Sequence, residues 1–286
     1  MKTICVLLLS LLLLVGLTPL AVANSEGYSE TTGLIDTVNY QIPYTMLIPN
    51  GEGPFPAVVM VHGYGSNRDE AGGGYALMAP KLAEAGIASI RFDVIGCGDS
   101  TLDYMDFTLQ TAIDDAIECA NFISKQPGIQ FDRIGIMGWS MGGGVALLAA
   151  GIDEGFQSVL TWAGAYYDGQ INEEEYATAL ADGYFEVMFE WREPLKQSPK
   201  MYEVQQQLKV SDIFPKSAAP VCAINGTLDD VVVPETAERI VALSQNPESK
   251  VVLLEGADHT FNIFTGDMTS FEKLMQETLE WFEATL

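Results

Sequence analysis

A serine flanked by glycines, two histidines and a pair of adjacent aspartates are the side chains in this sequence that could do chemistry together. Ser140 lies in Gly138-Trp139-Ser140-Met141-Gly142. The run Arg133-Ile134-Gly135-Ile136-Met137 before it is apolar enough for a buried strand. Gly143 to Ala150 after it is small and apolar enough for a buried helix. A strand, G-x-S-x-G and a helix in succession form a nucleophile elbow, a strained turn that lifts one hydroxyl above a sheet edge. The glycines suit a turn that leaves no room for side chains beside the serine. The pattern gains meaning only with a base and an acid to serve it. Histidine is the usual base because it titrates near neutrality, and the chain holds two, His62 and His259. The acid of such a set fixes the imidazole tautomer and stabilises the imidazolium. Asp229 and Asp230 in Asn225-Gly226-Thr227-Leu228-Asp229-Asp230 are the candidates.

The elements around these residues alternate. Leu34 to Tyr40 and Ile42 to Ile48 read as two strands near a sheet edge, after a polar, frayed Asn24 to Thr32. Ala57-Val58-Val59-Met60-Val61 is a continuous apolar run of the kind buried in a parallel sheet. Tyr75 to Ala85 has helical spacing closed by Gly86, and Ile87 to Phe92 is the next strand. Phe107 to Ile123 is a helix stopped by Pro127-Gly128. The elbow strand and helix come next, then Ser158 to Trp162. Val221 to Ile224, the helix Glu235 to Leu243, the strand Val251 to Leu254 and an amphipathic helix over Met268 to Phe282 complete the chain. Such alternation implies a parallel sheet with helices on both faces. From Ala165 to Ala219 it lapses. That stretch is too long for a simple connection and reads as a helical cap inserted over the sheet's C-terminal edge. Asn172 with Glu175 marks a helix start there; the stretch to Trp191 reads as helix broken by Gly183, with Pro194 and Pro199 as interruptions and a polar helix near Tyr202 to Leu208.

Chain order then assigns roles. Elbow enzymes run serine, acid, histidine, which selects His259 in Glu255-Gly256-Ala257-Asp258-His259. His62, directly after an early strand, is left to brace its loop. Asp229 stands three residues beyond Gly226 and Asp230 four before Pro234. Both spacings suit the acid, and Asp229 is favoured. An oxyanion hole needs two backbone N–H donors. Met141, next after the nucleophile, supplies one, and the loop His62-Gly63-Tyr64-Gly65 supplies the other through Tyr64.

The totals bound the rest. A chain of 286 residues suits one α/β domain with insertions. Lys2, the apolar run Val6 to Val15 and Ala21-Val22-Ala23 read as a secretory signal peptide over residues 1–23, with an uncleaved membrane anchor as the less favoured alternative, leaving 24–286 as the hydrolase-type domain and a secreted or extracytoplasmic protein. Of the four cysteines, Cys5 leaves with the signal. Cys97, Cys119 and Cys222 lack metal-ligand spacing and read as buried thiols. No cofactor and no metal are expected. A net charge of -25 argues against nucleic acid or anionic lipid as a partner.

The stretches His62 to Asn67, Leu82 to Ala88, Arg91-Phe92-Asp93 with Gly96 to Ser100, Gly138 to Gly143, Gly226 to Asp229 and Glu255 to His259 together resemble the bacterial cinnamoyl/feruloyl esterase-like group of α/β-hydrolases. The resemblance covers most of Leu34 to Leu286. It implies an α/β-hydrolase fold, an about eight-stranded, mostly parallel sheet with a helical cap. It also implies Ser140, Asp229 and His259 as the catalytic set and Tyr64 and Met141 as the oxyanion donors, and its Gly-Thr-x step favours Asp229 over Asp230. This chain departs from the group at Cys97, where His or Ser is usual, and in the sequence of its insertion. The expectation is a secreted serine esterase acting on a small-molecule or polysaccharide-linked ester. Its acyl group would be apolar and aromatic, because Tyr166, Tyr167, Tyr176, Tyr184, Phe185, Phe189, Trp191, Tyr202 and Phe214 crowd the insertion. Thioesterase, lipase and peptidase activities share the scaffold, although peptidases on it usually carry an added domain. An inactive binding module is the remaining alternative, against which the intact Ser, Asp and His set argues.

Overall fold

The computed structural model describes residues 20–24 and 27–286. The signal peptide expected over residues 1–23 falls almost wholly outside them. Nine strands form one sheet: β1 Leu20–Asn24, β2 Tyr28–Asp36, β3 Gln41–Pro49, β4 Phe55–Val61, β5 Ala88–Phe92, β6 Ile129–Trp139, β7 Phe156–Trp162, β10 Val221–Gly226 and β11 Lys250–Leu254. Their order is β1-β2-β3-β5-β4-β6-β7-β10-β11. The pairs β1/β2, β2/β3 and β3/β5 are antiparallel, and every pair from β5 to β11 is parallel.

The parallel part is buried on both faces, as its unbroken apolar runs require. In β4, Val58 and Met60 point to one layer and Ala57, Val59 and Val61 to the other. The first layer is built by α1 (Gly74–Glu84) and α8 (Thr269–Thr285), through Tyr75, Met78, Leu82, Phe271, Leu274 and Trp281. The second is built by α2 (Leu109–Ile123), α3 (Met141–Ile152) and α7 (Glu235–Leu243). Thr108 caps α2, its side chain accepting from Thr111 N–H while Thr111 returns the bond to Thr108 N–H. Cys97, Cys119 and Cys222 are buried free thiols.

Two expectations for local structure are corrected. The polar segment before Thr32 is not frayed: β2 pairs with β3 from Tyr28↔Pro49 to Asp36↔Gln41. It is half-buried at the antiparallel side of the sheet, where the ladder's hydrogen bonds hold it without an apolar face. The strand then ends at Asp36 because Thr37 Oγ1 donates to Tyr40 O and accepts from Tyr40 N–H, closing a turn. In the insertion, α4 (Glu173–Asp182) stops at Gly183, which takes a left-handed φ of 86°. The helix gives way there to a hairpin: β8 Phe185–Val187 pairs with β9 Leu195–Gln197. Pro199 begins α5 (Pro199–Gln207) instead of interrupting it, since the first helical position needs no N–H. A short α6 (Val210–Ile213) leads back to β10. The expected start of α4 is there: Asn172 accepts from the N–H groups of Glu174 and Glu175.

Candidate active site

Ser140 ends β6 and caps α3 with φ 52° and ψ -117°. A non-glycine residue held at positive φ stores strain. Here the surrounding backbone imposes it. Ser140 N–H donates to Trp162 O on β7 at 2.9 Å, and Ser140 O accepts from Ala165 N–H at 2.8 Å. The glycines on either side are needed for contact. A Cβ on Gly138 would lie 2.0 Å from Gly142 O, and one on Gly142 would lie 2.0 Å from Val61 O. The elbow is therefore wedged against the end of β4, with the N-terminus of α3 directed at the serine.

His259 lies in the loop after β11. Its backbone carbonyl accepts from Trp139 Nε1 at 3.2 Å, which ties the loop to the elbow strand. Asp258 Oδ1 accepts from the N–H groups of Thr260 and Asn262 and shapes the turn. The His259 Nδ1–H donates to Asp229 Oδ2 at 2.9 Å. Asp229 is buried, and its Oδ1 accepts from Val231 N–H at 2.9 Å and Val232 N–H at 2.8 Å. Asn225 Nδ2 donates to its Oδ2 at 3.3 Å. Asp230 is exposed. The structure thus joins Asp229 to His259 and leaves Asp230 a turn carboxylate.

Ser140 and His259 line one cavity of about 820 Å³ with Gly63, Tyr64, Trp139 and Glu70. Among the described residues no hydrogen bond joins Ser140 Oγ to the imidazole; in unliganded sites such bonds are often long. Among the described residues the backbone N–H groups of Tyr64 and Met141 have no hydrogen-bond acceptor, an arrangement that suits them to receive an oxyanion.

The loop carrying Tyr64 is held from below and above. His62 is fully buried, and burial keeps it neutral by lowering its pKa below the ordinary value. Its Nδ1–H donates to Gly63 O at 2.7 Å while its Nε2 accepts from Val94 N–H at 3.2 Å. It braces the loop and has no free nitrogen for catalysis. From the cap, Tyr64 Oη donates to Gln197 Oε1 and Arg192 Nη1 donates to Gly65 O. Phe189 packs 5.9 Å from the Tyr64 ring.

Most insertion aromatics hold the cap. Tyr176 packs on Tyr202, Tyr184 lies under Lys196, Tyr166 lies under Arg239 and Phe214 is buried. Trp191 alone of the aromatics in the insertion lines the cavity, together with Glu190. Among the lining residues that were not sequence candidates are Phe264 and Glu70. Phe264 comes from the loop before α8, where no period marks it. Glu70 comes after the His62 loop in an ordinary polar run. Among the described residues no group of His, Cys, Asp and Glu side chains could hold a metal ion.

Residues 77–286 match the prolyl oligopeptidase family. A 31.7 kDa protein of the traX-finO intergenic region of Escherichia coli is 30% identical over 146 residues, 49% of this chain and 50% of that protein. Esterase EstD of Thermotoga maritima is 33% identical over 114 residues, 37% of this chain and 26% of EstD. The chain thus spans about half the length of the first of these relatives, and less of the second. Among solved structures, Est1E of Butyrivibrio proteoclasticus with bound ferulic acid superposes with a TM-score of 0.72 at 20% identity, covering 88% of this chain and 98% of that one. The fold is that of the α/β-hydrolases.

Proposed function

For a chain that belongs to the prolyl oligopeptidase family and is a hydrolase of the α/β class, we propose a serine esterase mechanism that passes through an acyl-enzyme. The observation that carries it is the Asp229–His259 bond facing the cavity that Ser140 enters from its strained elbow. Ser140 Oγ attacks the ester carbonyl carbon and His259 Nε2 takes its proton. Asp229 holds Nδ1 protonated, so Nε2 is the nitrogen left to accept. The tetrahedral oxyanion sits between the N–H groups of Tyr64 and Met141, where fixed donors stabilise charge as it develops. His259 then protonates the leaving alcohol, and water repeats the sequence on the acyl-enzyme.

Aryl esters are the proposed substrates. Trp191, Phe264, Tyr64 and Trp139 give the cavity an aromatic wall, and each offset ring pair is worth about 0.5–1.5 kcal/mol beyond buried area. The name of EstD supports an esterase, and the ferulic acid in the Est1E structure supports the aryl reading. The family match favours a second one, amide cleavage by the same three residues. Secretion is also proposed: cleavage after Ala23 would remove most of β1 and leave an eight-stranded sheet.

The test is covalent labelling with a fluorophosphonate, run beside hydrolysis of methyl hydroxycinnamates, p-nitrophenyl acetate, a long-chain ester and dipeptide anilides. Wild type should be labelled and Ser140→Ala should not. Equal rates on the three ester classes would sink the aryl reading. Cleavage of anilides without esters would move the enzyme to the peptidases.

A further inference from the structure

Glu70 has no part in the scheme above, yet its backbone and side chain are both held in costly states beside the reaction centre. Its φ and ψ are 65° and 176°, a region that is essentially glycine's own. It is buried to 7% exposure and lines the cavity with Ser140 and His259. A strained residue at such a place is held there by its surroundings, and the side chain shows how. The carboxylate folds back over the His62–Glu70 loop. Oε1 accepts from Ala71 N–H at 2.9 Å, Oε2 accepts from Gly63 N–H, and the nearby Ser66 side chain favours the charged form.

Gly63 is therefore gripped at both ends. Its N–H is taken by Glu70, and its carbonyl accepts from His62 Nδ1–H at 2.7 Å and from Ser66 N–H at 3.1 Å. That carbonyl belongs to the same planar peptide unit as the Tyr64 N–H. Once Gly63 O is pinned toward His62, the Tyr64 N–H must point the opposite way, free of any intramolecular acceptor. Resting on the serine esterase reading, we propose that Glu70 is a positioning residue: its ionised carboxylate clamps Gly63 and so aims the Tyr64 N–H at the oxyanion.

The clamp is strongest with the charge. An ionised carboxylate is a full acceptor on both oxygens, whereas a protonated one leaves one of the two N–H groups only a hydroxyl oxygen, a poorer acceptor. Burial pushes the Glu70 pKa up to about 7, against the lowering effect of its hydrogen bonds and of His259. Its proton is thus lost near neutrality. The titratable groups that its charge reaches are His259 from the loop after β11, Tyr75 on α1 and Cys97 in the loop after β5. Burial raises Tyr75 and Cys97, the latter to about 11, so both keep their protons. Glu190 lies in the cavity's cap wall and Asp229 behind the imidazole. On Glu70's own loop, Arg68 pairs with Asp93 and Asp99, and Asp69 with Arg91.

The experiment is the pH dependence of kcat/KM on p-nitrophenyl butyrate below pH 7, in wild type and Glu70→Gln, with thermal melts of both. Ionisation of Glu70 adds one proton to those that must leave before the wild-type enzyme is active, so its acid limb in the logarithmic plot should be steeper, by up to one unit of slope, than that of Glu70→Gln. The kcat should drop on the order of tenfold to a hundredfold, short of the loss from deleting a donor outright, and KM should stay within about threefold because the neutral ester is bound elsewhere in the cavity. A wild-type profile that is flat through pH 7 overturns the inference even if the variant does not fold. So does a folded variant with wild-type kcat. Wild type that is no more active than Ser140→Ala and resists fluorophosphonate would overturn the esterase reading, and this inference with it.

Discussion

Replacing Asp229 by Asn changes one atom and should remove nearly all turnover. The reason lies in what already surrounds the carboxylate. Oδ1 accepts from two backbone N–H groups at 2.9 and 2.8 Å, so the amide oxygen of Asn must take that position. Its NH2 is then forced toward His259 Nδ1, where the carboxylate had been an acceptor. Two donors cannot face each other, so His259 changes tautomer and carries its proton on Nε2. An Nε2–H cannot accept the serine proton. Rescue from Asn225 is blocked, because turning its amide to present Oδ1 would break the bond from its Nδ2 to Val232 O at 2.8 Å. The wrong tautomer is worth about 10³–10⁴ in kcat, or about 4–5.5 kcal/mol of barrier. Asp230→Asn should stay within about twofold, since exposed side chains away from the site contribute little. The assay is kcat on p-nitrophenyl butyrate with a melt for each variant. A folded Asp229→Asn enzyme within tenfold of wild type, or a crippled Asp230→Asn, would refute the reasoning.

Trp191→Ala should lower kcat/KM for a methyl hydroxycinnamate by up to about tenfold and barely touch acetate, because the acetyl group does not reach the cap; equal losses on both would show Trp191 to be structural. Asp115 on α2 offers a stability test. Burial pushes its pKa up to about 7, despite the hydrogen bond from Tyr40 Oη at 2.5 Å. Between the ordinary carboxylate value near 4 and about 7, the native state then binds a proton that the unfolded chain has lost, so stability falls as pH rises through that window. Melts at pH 5 and pH 8 should show a smaller drop for Asp115→Asn than for wild type; equal drops would mean that Asp115 ionises freely.

How much of this could be read from the chain depends on whether the physical cause is local. The elbow was legible because a tight turn demands glycines at fixed offsets, and a Cβ on Gly138 or Gly142 would lie 2.0 Å from a backbone oxygen. The parallel strands were legible because burial on both faces leaves unbroken apolar runs. His259 and the acid came from chain order. Of β2 only the end from Leu34 was legible; Tyr28 to Gly33 was not, because a half-buried strand held by its neighbour's ladder needs no apolar alternation. The β8–β9 hairpin was hidden behind a helical period that Gly183 cuts short. Glu70 and Phe264 were invisible for a stronger reason: each acts through space, in a cavity that exists only once the loops after β4 and β11 meet. The insertion's aromatics suggested a binding wall, but most of them were needed to hold the cap, and Trp191 alone of them reaches the cavity.

The ring cluster beneath the elbow has an optical consequence. Trp139 and Trp162 stand edge to face with centroids 5.4 Å apart, Phe261 and Phe271 pack on both, and the Trp139 indole N–H is bonded to the His259 carbonyl. Emission from such a pair is set by the field and the quenchers around the indoles. Trp139 forms part of the cavity wall, so the charge that appears when the imidazole takes a proton, and the ester that displaces water there, both fall within its reach. On the proposed mechanism the protein thus carries a fluorescent probe in the wall of its reacting cavity. Stopped-flow traces of the unlabelled protein should then separate acylation from deacylation, including for esters whose products have no colour.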